Sequence, residues 1–360
     1  MILLIPLGGL FAVFTCLALW VQPITGDLTR LGGFMENDFG WNEPQQQFSS
    51  PLFTLEANRD YDQYYDVVVL GDSFSATSPR GQWQNYFVRA TGLSLVTYQV
   101  DRIDIESFVA SPAYRDHPPR IVIYETVERS FIDRSLPLNK GDCRTIPTPV
   151  FKELALKIRP GNQILSSHTR NIQNGPFHPN LSSAVHYLKR SIKKTLNKKS
   201  NQAIEITLDR DDLFSNRLSD QLLVYRNDFK RYHVSKKDLN RAICGLSHIQ
   251  NTFQKNGKTY FVAMIAPDKL TAYMDVYKKF DREKIYWMEE ISKHPQLHVP
   301  RLDVALRKEI ARGTRDVYLP NDTHWGSAGH KVTAETLYKY LLKQRVIIPE
   351  KERNRLQHLP

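Results

Sequence analysis

The stretch YYDVVVLGDSFSATSPRGQW, Tyr64–Trp83, decides the fold. Val67–Leu70 is a continuous apolar run of the kind that forms a strand buried on both faces of a parallel sheet. The run stops at Gly71-Asp72-Ser73, and Ser75 follows two residues later. Two readings of that stop are open. It is an ordinary strand followed by a helix cap, or it is a nucleophile at the carboxyl end of a central strand, served by a histidine from elsewhere in the chain.

Working outward, LSLVTYQV (Leu93–Val100), RIVIYET (Arg120–Thr126) and TYFVAMIAPDK (Thr259–Lys269) repeat the buried-strand signature. GQWQNYFVRATG and IESFVASPAYRDHPP, between the first three strands, carry helical spacing with terminal Gly or Pro breaks. DLNRAICGLSHIQNTFQKNGK precedes the fourth strand as an amphipathic helix stopped at Asn256-Gly257. DVYLPNDTHW (Asp316–Trp325) reads as a short last strand with its loop, and a closing helix begins near Ser327. The alternation predicts an α/β fold, a parallel sheet flanked by helices.

The pattern lapses over about 137–235, which we read as an insertion between the third and fourth strands. It holds VHYLKRSIKKTLNKK, in which Val185, Leu188, Ile192 and Leu196 share one helical face among six Lys and Arg residues. Such a helix suits a solvated surface, an anionic membrane or an anionic polymer. Residues 25–60 read as a polar, proline-broken connecting segment. Residues 1–24, without a charged side chain, read as a single transmembrane anchor, since about 20 apolar residues cross a bilayer. The remainder, 61–360, is expected to form one domain.

The chain has 360 residues, a net charge of +11 and 41% hydrophobic residues, as expected of a folded protein with acidic partners. It carries no dinucleotide or phosphate-loop glycine fingerprint, no metal-type cysteine cluster and no nucleic-acid module. No cofactor, metal or nucleic-acid partner is expected. Of three cysteines, Cys16 lies in the apolar segment, while Cys143 and Cys244 read equally as a disulfide or as two thiols.

A serine hydroxyl needs a base to become a nucleophile, and a histidine base needs a carboxylate to fix its tautomer. NDTHW supplies Asp322 and His324, two residues apart in a loop before the last helix. Ser73, at a strand end and a helix start, occupies the usual position for sites in open parallel sheets, and its N–H can face a developing oxyanion. Asp72 reads as a structural cap, and His330, in the closing helix, as structural.

GDSFS after the first strand, with Asp-x-His before the last helix, resembles the SGNH (GDSL) hydrolase superfamily. DTHW with GSAGH is similar, more narrowly, to the SGNH-like domains of alginate O-acetylation of the AlgX and AlgJ type. YETVERSF (Tyr124–Phe131) and APDKLTAY (Ala266–Tyr273) resemble two further segments of that family. The resemblance implies a flavodoxin-like sheet, with Ser73 as nucleophile, His324 as base and Asp322 as its orienting partner. Here Asp-x-His follows the serine, as in ordinary SGNH enzymes, whereas in the alginate proteins it precedes it. The third strand also ends in Glu125-Thr126 instead of the usual oxyanion-hole Asn segment. Glu125, Arg129, Lys269 and Tyr273 are candidates for binding or supporting roles. For Glu125 and Arg129 the alternative is a plain i,i+4 ion pair, and for Lys269 a solvated lysine.

The expectation is a membrane-anchored O-acetyltransferase acting on a cell-surface exopolysaccharide, an anionic acceptor. Its catalytic domain would lie in the periplasm or outside a bacterial inner membrane, with acetyl delivered by a separate integral-membrane acyltransferase. The alternatives are a carbohydrate esterase using the same residues and a non-catalytic glycan-binding scaffold.

Overall fold

A computed structural model describes residues 4–56, 60–136, 155–170, 179–195, 202–278 and 287–349. The chain opens with α1 (Leu4–Trp20), two short helices, α2 (Asp27–Gly32) and α3 (Glu36–Phe39), and two short strands, β1 (Gln45–Phe48) and β2 (Thr54–Glu56). β3 (Val67–Gly71) leads into α4 (Ser73–Ala76), and α5 (Trp83–Thr91) into β4 (Leu95–Gln99). α6 (Ile105–Ala110) and α7 (Pro112–Asp116) precede β5 (Ile121–Val127) and α8 (Glu128–Ser135). Next come β6 (Leu156–Ile158), β7 (Leu165–His168), α9 (Leu181–Thr195), β8 (Ala203–Thr207) and β9 (Gln221–Tyr225). The last part holds α10 (Lys236–Gln254), β10 (Tyr260–Ala266), α11 (Lys269–Ala272), α12 (Trp287–Ser292), α13 (Leu302–Ala311), α14 (Ser327–Lys343) and β11 (Ile347–Pro349).

The main sheet has the order β10-β5-β3-β4-β2, and every pairing in it is parallel. β3 is central and buried throughout, as its unbroken apolar run requires. Full burial of each such side chain stabilises by about 1.5–3 kcal/mol. Alternate residues face opposite layers. Val67 and Val69 pack with Phe74, Trp83, Phe87 and the α14 side chains Leu337 and Leu341, while Val68 and Leu70 pack with Phe131, Leu246, Ile249 and Phe253. The sheet is thus covered on both faces, as a parallel sheet must be, and its carboxyl edge carries the candidate site.

Three expectations are corrected. Residues 25–60 are not irregular: they contain α2, α3, β1 and β2, and β2 is an edge strand of the main sheet. Its three residues, Thr-Leu-Glu, pair through backbone with Thr54 and Leu55 exposed, so no hydrophobic pattern marks it. Asp316–Trp325 forms no strand. It is a loop closed by one bridge between Tyr318 and Trp325, because it turns sharply at Pro320–Thr323. The region 137–235, where described, adds no strand to the main sheet and lies between its neighbouring strands β5 and β10 as the expected insertion, tied back to both ends of the chain through β7 on β1 and β6 on β11. Finally, the apolar helix stops at Trp20. Val21 is buried and the Gln22 N–H donates to Asn37 Oδ1, so residues 21–24 join the folded body.

α1 has 17 residues, about 25 Å at 1.5 Å per residue. Among the described residues no helix is long and apolar enough to cross a membrane. Cys244 is disulfide-bonded, Cys16 is free, and Cys143 lies outside the described residues.

Candidate active site

The nucleophile side is built from the end of β3. Asp72 caps α4: its Oδ1 accepts from the Phe74 N–H (3.1 Å), and its Oδ2 accepts from the Val127 N–H (2.8 Å) and Arg134 Nη1 (2.5 Å). Asp72 is therefore the structural cap expected. Beneath it lies Glu125, fully buried on β5, whose Oε2 accepts from the Asp72 N–H and from Ser75 Oγ, both at 2.9 Å. Burial, then the charge of Asp72, pushes the Glu125 carboxyl well above the usual range. A Cβ at position 71 would lie 2.6 Å from Ser75 Cβ and 3.0 Å from Glu125 Oε2, so the close approach requires glycine there.

Ser73 and His324 meet across 251 residues of sequence, with Ser73 Oγ 2.8 Å from His324 Nε2. The other ring nitrogen, Nδ1, is 2.7 Å from Asp322 Oδ1, which also accepts from the His324 N–H (3.0 Å). The imidazole packs against the Phe74 ring at 4.9 Å between centroids and is one-fifth exposed, so it is reachable from solvent. Burial alone would raise the Asp322 carboxyl. The hydrogen bond and charge of His324, with the N–H groups of Asp27 and His324, instead hold it well below the usual carboxylate range. Asp322 thus stays ionised and fixes Nδ1 as the protonated nitrogen, leaving Nε2 to accept from Ser73.

The loop carrying Asp322 and His324 lacks regular structure and is held by side chains from elsewhere. Lys269, buried at the start of α11, donates from Nζ to the carbonyls of Leu319 (2.7 Å), Pro320 (2.9 Å) and Asp322 (3.1 Å). Burial pulls its ammonium down to about 7, although Asp322, Asp316 and Asp228 oppose this. Lys269 is not a solvated lysine, then, but a clamp on the histidine loop.

A second clamp comes from the segment after α1, which no motif connects with the site. The Asp27 N–H donates to Asp322 Oδ2 (3.0 Å), and the N–H groups of Leu28 and Thr29 donate to the Asn321 carbonyl (3.0 and 3.3 Å). A Cβ on Gly26 would lie 2.1 Å from that carbonyl, so the segment seats only with glycine there. Buried Glu36 gathers the assembly. It accepts from the Thr25 and Gly26 N–H groups (3.0 Å each), Asn321 Nδ2 (2.9 Å), Arg170 Nη1 (3.0 Å) and the Thr29 hydroxyl. The Thr-x-x-x-x-x-x-Glu spacing of Thr29 and Glu36 carries no recognisable signature, so no local signal would have found this hub.

The remaining predicted residues lie further back. Arg129 does not pair with Glu125, because one is in a strand and the other in a helix. It pairs with Asp268 and, at 3.6 Å, with Asp228. Tyr273 is fully buried, and its hydroxyl accepts from the Tyr318 N–H at 3.4 Å, bracing the start of the histidine loop. Glu125 and Tyr273 are thus supports, inaccessible to a substrate. His330 is buried against the Trp325 ring, and burial, followed by the charge of His324, lowers it to about 3. Asp27, Asp322 and His324 lie close enough for one atom of each to reach a common cation. In this arrangement the His324 and Asp322 atoms are engaged with each other.

The site thus joins a strand-end serine to a histidine and a carboxylate at the carboxyl edge of an open parallel sheet. Residues 219–357 match the family model described as SGNH hydrolase-like domain, acetyltransferase AlgX, and the resemblance read from the motifs is borne out there. The match spans under half the chain: it includes Lys269, Tyr273, Asp322 and His324, and leaves Ser73, Glu125 and Arg129 outside. No curated protein and no solved structure matches the chain.

Proposed function

We propose that the protein is an O-acetyltransferase that carries an acetyl group on Ser73 and passes it to a hydroxyl of a cell-surface polysaccharide. The observation that carries the reading is the unbroken line from Ser73 Oγ through the His324 ring to Asp322, together with the acetyltransferase family match. Ser73 Oγ attacks the carbonyl carbon of an activated acetyl donor as its proton passes to His324 Nε2. The tetrahedral adduct collapses to acetyl-Ser73, and the donor's leaving atom departs with the proton from His324. An acceptor hydroxyl then gives its proton to His324, attacks the acetyl carbonyl, and Ser73 recovers the proton as it leaves. The Ser73 N–H begins α4, while those of Phe74, Ser75 and Ala76 are taken by Asp72, so the Ser73 N–H is the oxyanion donor of that turn. Exposed Gln99, paired in register with Gly71, is the candidate for the second donor.

The basic chain suits an anionic glycan. α1, apolar on all sides with Leu7, Leu10, Phe11 and Val13 exposed, suits insertion into a bilayer beside a membrane-embedded acyl donor, and the family match favours a catalytic domain in the periplasm or outside the cell. The test uses the purified chain, an activated acetyl ester and an anionic oligosaccharide. Acetyl is expected on the oligosaccharide and to be absent with Ser73→Ala. Acetate release that the oligosaccharide leaves unchanged would instead favour an esterase using the same residues.

A further inference from the structure

The candidate site makes no use of α9, the basic amphipathic helix expected from the sequence. Leu181, Val185, Leu188 and Ile192, spaced four, three and four residues apart, are 54%, 40%, 40% and 59% exposed. They form one apolar stripe, while Ala184 and Ser183 turn towards the body and are buried. The helix contains no acidic residue, Lys189 beside the stripe is exposed, and Arg190, Lys193 and Lys194 share the helix.

α9 is attached to the end of α1. The Asn180 N–H donates to the Ala18 carbonyl (2.8 Å), Asn180 Nδ2 donates to the Val21 carbonyl (2.9 Å), and Tyr187 meets Trp20 edge-on at 6.0 Å. α1 and α9, each with exposed apolar side chains, are thus packed together at an aromatic pair of the kind favoured where one side is apolar and the other wet. An anionic polysaccharide would engage the cations but leave the apolar stripe in water. A bilayer with anionic headgroups accepts both at once.

We propose that α9 lies on the surface of an anionic bilayer, with the exposed apolar side chains of α1 beside it. Seven residues, Val21–Asp27, link the end of α1 to the N–H that bonds Asp322, a span of at most about 25 Å. The docked chain would then hold Ser73 close to a donor delivered at the membrane. That last consequence rests on the acetyltransferase reading; the docking itself does not.

The test floats the full chain with vesicles of phosphatidylcholine alone and of phosphatidylcholine mixed with phosphatidylglycerol. The ratio of the two partition coefficients cancels what α1 contributes to both. A preference for phosphatidylglycerol of about tenfold or more is expected. Lys189→Gln/Lys193→Gln/Lys194→Gln should bring the ratio close to one, and Leu188→Glu/Ile192→Glu should lower binding to the anionic vesicles by about tenfold. Acetylation of Ser73 by a soluble ester should be unchanged in both variants, which reports intact folding. A wild-type ratio near one overturns the proposal. So does a ratio that the lysine substitutions leave unchanged, or their loss of binding to an anionic polysaccharide while vesicle binding persists. Failure of the wild type to take up acetyl would count against the acetyltransferase reading and leave the docking result standing.

Discussion

The two halves of the candidate site are built in opposite ways. Ser73 sits on the end of a central, fully buried strand, and its surroundings follow from a few neighbouring residues: Gly71 for clearance, Asp72 as cap, and Glu125 on the adjoining strand. His324 sits on a loop without regular structure, held by Lys269 from the end of β10 and by the segment around Asp27 and Glu36 from the other end of the chain. Ser73 is positioned by the sheet, whereas His324 is positioned by clamps. Damage to the clamps should therefore impair acyl transfer while the sheet remains folded.

The largest effect should come from the carboxylate that orients His324. Asp322→Asn should lower the rate of Ser73 acylation by roughly 10³–10⁴-fold, since the amide favours the wrong imidazole tautomer. Stopped-flow acylation by an activated ester checks this.

Lys269→Met should come next. It removes three donors from the histidine loop, at a cost of about 1–3 kcal/mol for each carbonyl left buried without a partner, and acylation should fall roughly 10–100-fold. The pH dependence has a definite sign. With its ammonium at about 7 in the folded chain, against an ordinary value of 10.5, Lys269 binds fewer protons folded than unfolded between those values. Its contribution to stability therefore rises with pH across that window. Denaturant titrations should show wild type gaining on Lys269→Met from pH 7 to 10; parallel curves would contradict the burial argument.

Glu36→Gln should loosen the second clamp by removing the buried partner of Arg170. Acylation should drop about tenfold with far-ultraviolet circular dichroism unchanged. A rate equal to wild type would show that the N-terminal segment does not govern the histidine loop.

The smallest effect should be at Glu125→Gln. Burial and Asp72 favour the neutral acid there, and the amide mimics it, so acylation should stay within about threefold of wild type. A large loss would mean that the Glu125 charge serves the nucleophile.

The same contrast explains what could be read in advance. β3, β4, β5 and β10 were legible because buried parallel strands write themselves as continuous apolar runs. Ser73, Asp322 and His324 were legible because each residue type has a defined chemical part and its own place at a strand end or loop. β2 was not, since three largely exposed residues pair only through backbone. Nor was the clamp of Asp27 and Glu36, which reaches residues nearly 300 positions away through the Asp27 backbone N–H on Asp322 and the Glu36 carboxylate accepting from Asn321 Nδ2. The burial of Lys269 was missed for a related reason. A lysine after a strand is ordinarily solvated, and only the fold places three carbonyls around this one.

The most direct test of the central claim is intact-mass and peptide-mass analysis after brief exposure to an activated acetyl ester, on wild type, Ser73→Ala and His324→Gln. One acetyl group is expected, on the peptide containing Ser73, in wild type alone. No adduct and no ester turnover in wild type, or equal labelling of all three chains, would contradict it.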